Sequence, residues 1–359
     1  MKVALIGVGQ AGGKLAQALT EYDQRLGGEA IRGAIAVNTA QSDLQSIDIE
    51  PVLIGQGRVK GQGVGGDNEL GAEIMQSDAN EVMGALDGTL TADVEAILVI
   101  AGLGGGTGSG GAPVLINQLK QIYDRPVYGL GILPGRDEGA MYLANAGRSL
   151  KTLVREADSL LLIDNDAWRT SGESVQAAFD AINERIARRV GLLLAAGEGI
   201  EGVGESVVDS SEIINTLRNG GIAALGYANA VASEEAEENI HAVMSITRQA
   251  LLSNMSLPDT TEAGAALIVI AGKPEVIPRR GVERARRWLE EETGSLEVRG
   301  GDYPLDSDRI GALVLLSGLE RGDAIEEFLQ IANEAKEEAE RARPDPAEAF
   351  NNEEIEDLF

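Results

Sequence analysis

Apolar residues cluster in short unbroken runs through the first half of the chain: Lys2–Ile6, Ile31–Val37, Pro51–Ile54, Ala96–Ile100, Pro126–Leu133 and Ser159–Ile163. Runs of about four to eight residues without polar alternation predict strands buried on both faces, as in a parallel sheet. Segments of helical period lie between them, ending near Leu26 and spanning about Glu69–Leu86, Ala112–Tyr123 and Glu138 to Ala157. This repeated order of strand, loop and helix predicts an α/β fold, a Rossmann-like, doubly wound parallel sheet with its loops on one rim. Ser174–Ala196 then carries Val175, Phe179, Ile182, Ile186, Val190 and Leu193 in one helical stripe of core type. From Ala265 the pattern changes. Strands at 266–271, 296–299 and 310–317, with helices at 282–292 and from Asp323, predict a smaller α+β domain on a mixed sheet. The expected organisation is a first domain over 1–172, a long central helix over 173–200, a second domain over 201–330, and a charged helix end and acidic tail over 331–359.

The loops carry the chemistry. Ala101–Gly111, AGLGGGTGSGG, has seven glycines in eleven residues, with Thr107 and Ser109 as its polar members. It stands between a buried strand and a helix predicted from Ala112, so its backbone N–H groups and the helix dipole can cradle a phosphate chain. The alternative is a flexible surface loop, whose usual Asn, Asp and Pro are missing. Gly7–Gly13 forms a second such loop and fits G-x-G-x-x-G after a strand. Taken alone, it supports an NAD-dependent oxidoreductase. The acidic residue that would hold the ribose is replaced by Asn38-Thr39, and Lys14 is followed by Leu15, which excludes a P-loop ending. Lys60–Gly71 is a third glycine loop, ending in Asp67 and Asn68, which cap a helix or contact a ligand. Three loops suit the oxygens of a nucleoside triphosphate, where a dinucleotide needs one.

Further along, Glu138 is placed in the first turn of its helix, and Asp164-Asn165-Asp166 ends a strand on the rim where ligands of open α/β sheets lie. Phe179 and Asn183 are four apart on one helical face and can stack on a base and hydrogen-bond its edge. Asp209 and Glu212 put two carboxylates on one face at i and i+3, a spacing that also fits a capping box.

Composition narrows the classes. The chain has 359 residues, no cysteine and one histidine, which excludes disulfides, thiol catalysis and Cys- or His-rich metal sites. That histidine, His241, reads as a surface residue of a helix. With 58 acidic against 30 basic residues the net charge is −28, which disfavours nucleic acid and anionic membranes. A charge of this size is expected in a cytoplasm of molar salt, where the Debye length is about 3 Å at 1 M. No apolar run is long enough for a membrane span and no cleavable signal is present, so a cytoplasmic location is expected. The last residues, Ile355–Phe359, combine acids with Ile, Leu and Phe and form either a frayed end or a short docking peptide for a tail-binding protein.

The string GGGTGSG at Gly104–Gly110 resembles the signature loop of the tubulin and FtsZ superfamily, G-G-G-T-G-[ST]-G, and the chain to about residue 330 is most similar to the archaeal CetZ branch. The resemblance implies a GTP-binding domain, a central helix and a second domain. It also implies a GTPase using GTP/GDP and Mg²⁺ that polymerises head to tail with itself, with a role in cell shape or, as in FtsZ, division. Gln10 resembles the Gln that tubulins place near the β-phosphate and magnesium, and Gly65 and Gly66 the glycines that approach the γ-phosphate. Glu138 resembles a ribose contact, although the Arg of the FtsZ pattern four residues later is Tyr142. Asn165 and Asn183 resemble the guanine-reading pair, Phe179 the stacking aromatic, and Asp209 and Glu212 the catalytic acids that act on GTP held by the next subunit. The candidate nucleotide residues are therefore Gly9, Gln10, Ala11, Gly12, Lys14, Asn38, Gly65, Gly66, Asp67, Gly104, Gly105, Gly106, Thr107, Gly108, Ser109, Glu138, Asn165, Phe179 and Asn183, and no residue is assigned as a metal ligand.

Overall fold

The computed structural model describes residues 1–167, 175–198, 207–319 and 322–341. The expected helix start at Ser174 and the acidic tail with Ile355–Phe359 lie outside the described residues. The first half alternates as the hydropathy requires: β1 (Val3–Val8), α1 (Gly9–Arg25), β2 (Ile31–Asn38), α2 (Gln41–Leu44), β3 (Glu50–Leu53), α3 (Gln56–Val59), α4 (Asn68–Leu86), β4 (Ala96–Gly102), α5 (Thr107–Ile122), β5 (Val127–Leu133), α6 (Ala140–Glu156) and β6 (Leu160–Asp164). The central helix α7 (Val175–Ala196) and the short α8 (Ser210–Leu217) follow. The chain then forms β7 (Ile222–Val231), α9 (Asn239–Leu252), β8 (Ala265–Gly272), α10 (Arg279–Thr293), β9 (Val298–Pro304), β10 (Arg309–Leu319) and α11 (Asp323–Arg341).

All ten strands join one sheet in the order β3-β2-β1-β4-β5-β6-β7-β10-β8-β9. β1 to β6 are parallel to their neighbours, whereas β10 runs antiparallel to both β7 and β8. The two halves meet at β6 and β7, which share only Leu160↔Ile222 and Leu161↔Ala223. Alternation along each strand builds two cores. Ile6, Val8, Ile97 and Val99 face one layer with helices α4, α5, α6, α9, α10 and α11, while Val3, Leu5, Leu98 and Ile100 face the other with α1 and α7.

Three expectations are corrected. The smaller mixed-sheet unit begins at Ile222, one strand and one helix before Ala265, because β7 hides its apolar face in alanines: Ala223, Ala224 and Ala228 are buried. Helix α5 starts at Thr107 rather than Ala112, and α1 starts at Gly9, so half of each glycine loop is helix. Glycine is a poor helix former, but tertiary packing overrides that here. A methyl group at Gly110 would overlap the carbonyl oxygen of Asn68 on α4, and one at Gly12 the carbonyl oxygen of Ile100 on β4. Finally, Glu138 precedes α6, which starts at Ala140. Its Oε1 accepts from the Gly135 N–H at 2.8 Å, folding the carboxylate back onto the turn.

Candidate nucleotide site

The carboxyl ends of β1, β4 and β5 open into a cavity of about 660 Å³, reached by Val8, Gly102, Ile132 and Leu133. Every candidate nucleotide residue lines it except Gly12, Asp67 and Ser109. Gly12 packs on β4, as above. Asp67 is the N-cap of α4, accepting from the Leu70 N–H at 3.0 Å, and the Ser109 hydroxyl donates to the Gly105 carbonyl within its own helix turn. The capping alternative thus accounts for Asp67.

The helix ends at the cavity differ in a telling way. Helix α4 is capped by Asp67 and carries Glu69 in its first turn, whereas the N-cap residues of α1 and α5, Val8 and Gly106, offer no side-chain cap and neither helix has an acid in its first turn. Their first N–H groups and positive dipole ends are therefore left for an anion. The two ends also nearly touch. Gly9 adopts φ 74°, and a Cβ there would stand 2.9 Å from the Gly108 backbone nitrogen, so only glycine permits the approach.

Side chains behind the cradle fix it. The buried hydroxyls of Thr39 and Thr107 lie 2.8 Å apart, tying the β2 end to α5. Asn145, buried on α6, donates through Nδ2 to the carbonyls of Gly66 at 2.7 Å and Gly104 at 3.0 Å, so one amide occupies oxygens from two glycine loops. Sequence reasoning passed over Asn145. Its signal was a lone polar residue in the otherwise apolar run Leu143–Gly147 of α6. Asp43 was also passed over. It lines the cavity, takes Asn38 Nδ2 at 3.1 Å and stands 3.5 Å from Gln10 Nε2.

At the other end of the cavity stand Asn165, Phe179, Ile182 and Asn183. Phe179 is 41% exposed, and Asn165 Oδ1 is buried without any hydrogen-bond partner. A buried acceptor left unmet costs roughly 1–3 kcal/mol, so it marks a place where a ligand donor belongs.

Asp209 and Glu212 are not in the cavity but on the opposite rim. Helix α7, about 33 Å long in all, lines the cavity with Phe179 and Asn183 and near its other end presents the Leu194 carbonyl to the Met1 amino nitrogen at 2.6 Å, at the amino end of β1. Glu198 then bridges to Asp209, and Ser210 donates its hydroxyl to Glu95, the residue before β4, at 2.6 Å. Asp209 caps α8, accepting from the Glu212 N–H at 3.0 Å, which is the cap half of the expected capping box. Hydrogen bonds, first that from the Ser211 hydroxyl, hold the Asp209 carboxyl below its ordinary range, while burial and then the Asp209 charge push Glu212 up.

Residues 2–173 match the family described as Tubulin/FtsZ family, GTPase domain, and residues 172–334 that described as Tubulin-like CetZ, C-terminal domain. The tubulin-like protein CetZ2 of Haloferax volcanii is 64% identical over 360 residues, covering 100% of both chains. The chain belongs to the CetZ family. Among solved structures, CetZ2 from Haloferax volcanii, described as a GTPgS bound protofilament, superposes with a TM-score of 0.91 at 65% identity over 95% of this chain and 100% of that one. CetZ1 of the same organism, a GDP bound monomer, gives 0.87 at 51% over 94% and 100%. A CetZ chain has the tubulin/FtsZ fold and is a GTPase, so the dinucleotide reading of Gly7–Gly12 falls away.

Proposed function

We propose that this chain is a cytoskeletal GTPase whose subunits polymerise head to tail, each GTP site being completed by Asp209 and Glu212 of the next subunit. The observation that carries the reading is the separation of two half-sites: the phosphate cradle lies on the carboxyl rim of the sheet and the acidic pair on its amino rim. Within one copy they cannot meet. Copies stacked along the strand direction bring one rim onto the other, an arrangement that agrees with a similar protein described as a GTPgS bound protofilament.

In this reading the bare ends of α1 and α5, with Gly65 and Gly66, hold the phosphate oxygens, and Lys14 adds charge. Phe179 stacks on guanine while Asn165 and Asn183 meet its edge, the buried Asn165 Oδ1 gaining its missing donor. Phosphoryl transfer needs mainly positioning and neutralisation. The neighbour's Glu212 orients a water toward the γ-phosphorus and takes its proton as the bond to the β-phosphate breaks, releasing GDP and phosphate. Gln10 and Asp43 provide oxygen donors beside the cradle, which suits a hydrated Mg²⁺ held mainly by the nucleotide; among the described residues no group of three or more His, Cys, Asp or Glu forms a protein cage. Such an ion would neutralise charge on the β- and γ-oxygens.

The units we assign are a GTP-binding domain over 1–172, the central helix over 173–200, an activation domain over 201–330 and a tail over 331–359 that recruits a partner. Among the described residues no helix is long and apolar enough to cross a membrane, and we assign the filament to the cytoplasm with a role in cell shape. Phosphate release measured against protein concentration tests the shared site. A threshold followed by a steep rise is expected, and strictly linear activity down to dilute protein would refute it.

A further inference from the structure

A cation ties the turn after β5 to the end of β6 beside the cavity. Arg136, between β5 and α6, donates its backbone N–H to Asp166 Oδ2 at 2.8 Å, and its Nη1 reaches the same oxygen at 3.1 Å and Asp164 Oδ2 at 3.3 Å. The Asp166 N–H in turn donates to Asp164 Oδ1 at 2.9 Å. Asn165 sits between these two carboxylates, so the groups on either side of it are gripped by a single guanidinium. Asp164 is only 4% exposed, and an ionised carboxylate at that depth is stable only when paired. Burial raises its pKa, and the Asp166 N–H and Arg136 oppose the rise.

Arg136 itself does not line the cavity, yet groups on both sides of it do. Gly135 on one side is tied to Glu138, which lines the cavity, and Asn165 lies across the network with Oδ1 buried and unmet. Were the guanidinium removed, the buried Asp164 carboxylate next to Asn165 would lose a charge partner, and the backbone that carries the amide would shift to relieve it. A guanidinium suits this place because Nη1 carries two N–H groups and donates to both carboxylates from one nitrogen.

We propose that Arg136 is a positioning residue for base selection: by pairing with Asp164 and Asp166 it fixes the Asn165 amide against the edge of a guanine base. This rests on the reading of the cavity as a GTP site.

The test measures dissociation constants for GTP and for ITP, which lacks the 2-amino group, by calorimetry on the full chain with Mg²⁺. Wild-type protein is expected to prefer GTP. Arg136→Ala should weaken GTP about tenfold, the scale of one charge-assisted hydrogen bond, while ITP changes far less, so that the preference collapses. Arg136→Ala combined with Asp164→Asn removes the buried charge that Arg136 pairs and returns the cluster to its wild-type net charge, and should restore much of the preference. An unchanged GTP-to-ITP ratio in Arg136→Ala overturns the proposal, as does a complete failure of the double variant to recover, which would mean direct contact between Arg136 and nucleotide. Should Arg136→Ala not fold, Arg136→Gln is read by the same ratio, with a smaller fall expected and no fall overturning the proposal. Wild-type protein that binds neither nucleotide would sink the GTP-site reading instead.

Discussion

Glu95 Oε1 accepts the Ser210 hydroxyl at 2.6 Å, and Glu95 Oε2 accepts the Lys2 backbone N–H at 2.8 Å. One carboxylate thus ties the first residue of α8, and the acidic pair that flanks it, to the amino ends of β1 and β4. The same two strands carry the phosphate cradle at their other ends. The sheet is the rigid spacer between a subunit's cavity and the acids it would offer to its neighbour. Glu95→Ala should therefore leave GTP affinity unchanged while lowering the polymer's GTPase rate severalfold, because Asp209 and Glu212 lose their anchor. Calorimetry with GTP beside steady-state phosphate release checks both halves. Equal loss of affinity and rate would point to general unfolding.

Glu212→Ala should bind GTP normally, assemble, and hydrolyse slowly; turnover at the wild-type rate would refute its role. Asp209→Ala subunits retain a complete cradle, while Gly105→Asp subunits, with a negative charge added to the cradle, retain a complete acidic pair. Mixing the two inactive proteins should restore part of the activity at interfaces that join the two intact halves. Activity no greater than the sum of the separate proteins would argue against hydrolysis across subunits.

The glycines of the cradle divide into those that bring helices together and those that do not. Gly110→Ala drives a methyl group into the Asn68 carbonyl and should destabilise the fold by about 1–3 kcal/mol, lowering the melting temperature and the GTP affinity together. Gly84, inside α4 with open space around it, is the control. Gly84→Ala should stabilise by roughly 0.5–1 kcal/mol through helix propensity alone. If both substitutions moved stability the same way, close helix packing would not be the reason for Gly110.

A net charge of −28 on 359 residues repels itself at low ionic strength. Melting temperature should rise with KCl toward molar concentrations as screening shortens. A protein equally stable without salt would end the high-salt interpretation of its acidity.

The strands of the first half were legible because a parallel sheet buries both faces and so writes itself as unbroken apolar runs. Asp67, Asp209 and Glu212 showed their capping geometry in spacing alone, since a cap involves residues within one turn. The cradle string Gly104–Gly110 marked a phosphate site, but not that its second half is helix, because the close contact of Gly110 with Asn68 joins residues far apart in sequence. Asn145 escaped for the same reason: its two acceptors, Gly66 and Gly104, become neighbours only when α6 packs behind both loops. β7 was missed because alanine and glycine carry little hydrophobic signal until neighbouring strands cover them. The sequence by itself determined the α/β alternation, the phosphate chemistry and the acidity. Only the tertiary structure decided that one ten-stranded sheet joins the halves and that the cradle and the acidic pair stand on opposite rims, since strand direction and the path of α7 across the sheet are long-range properties.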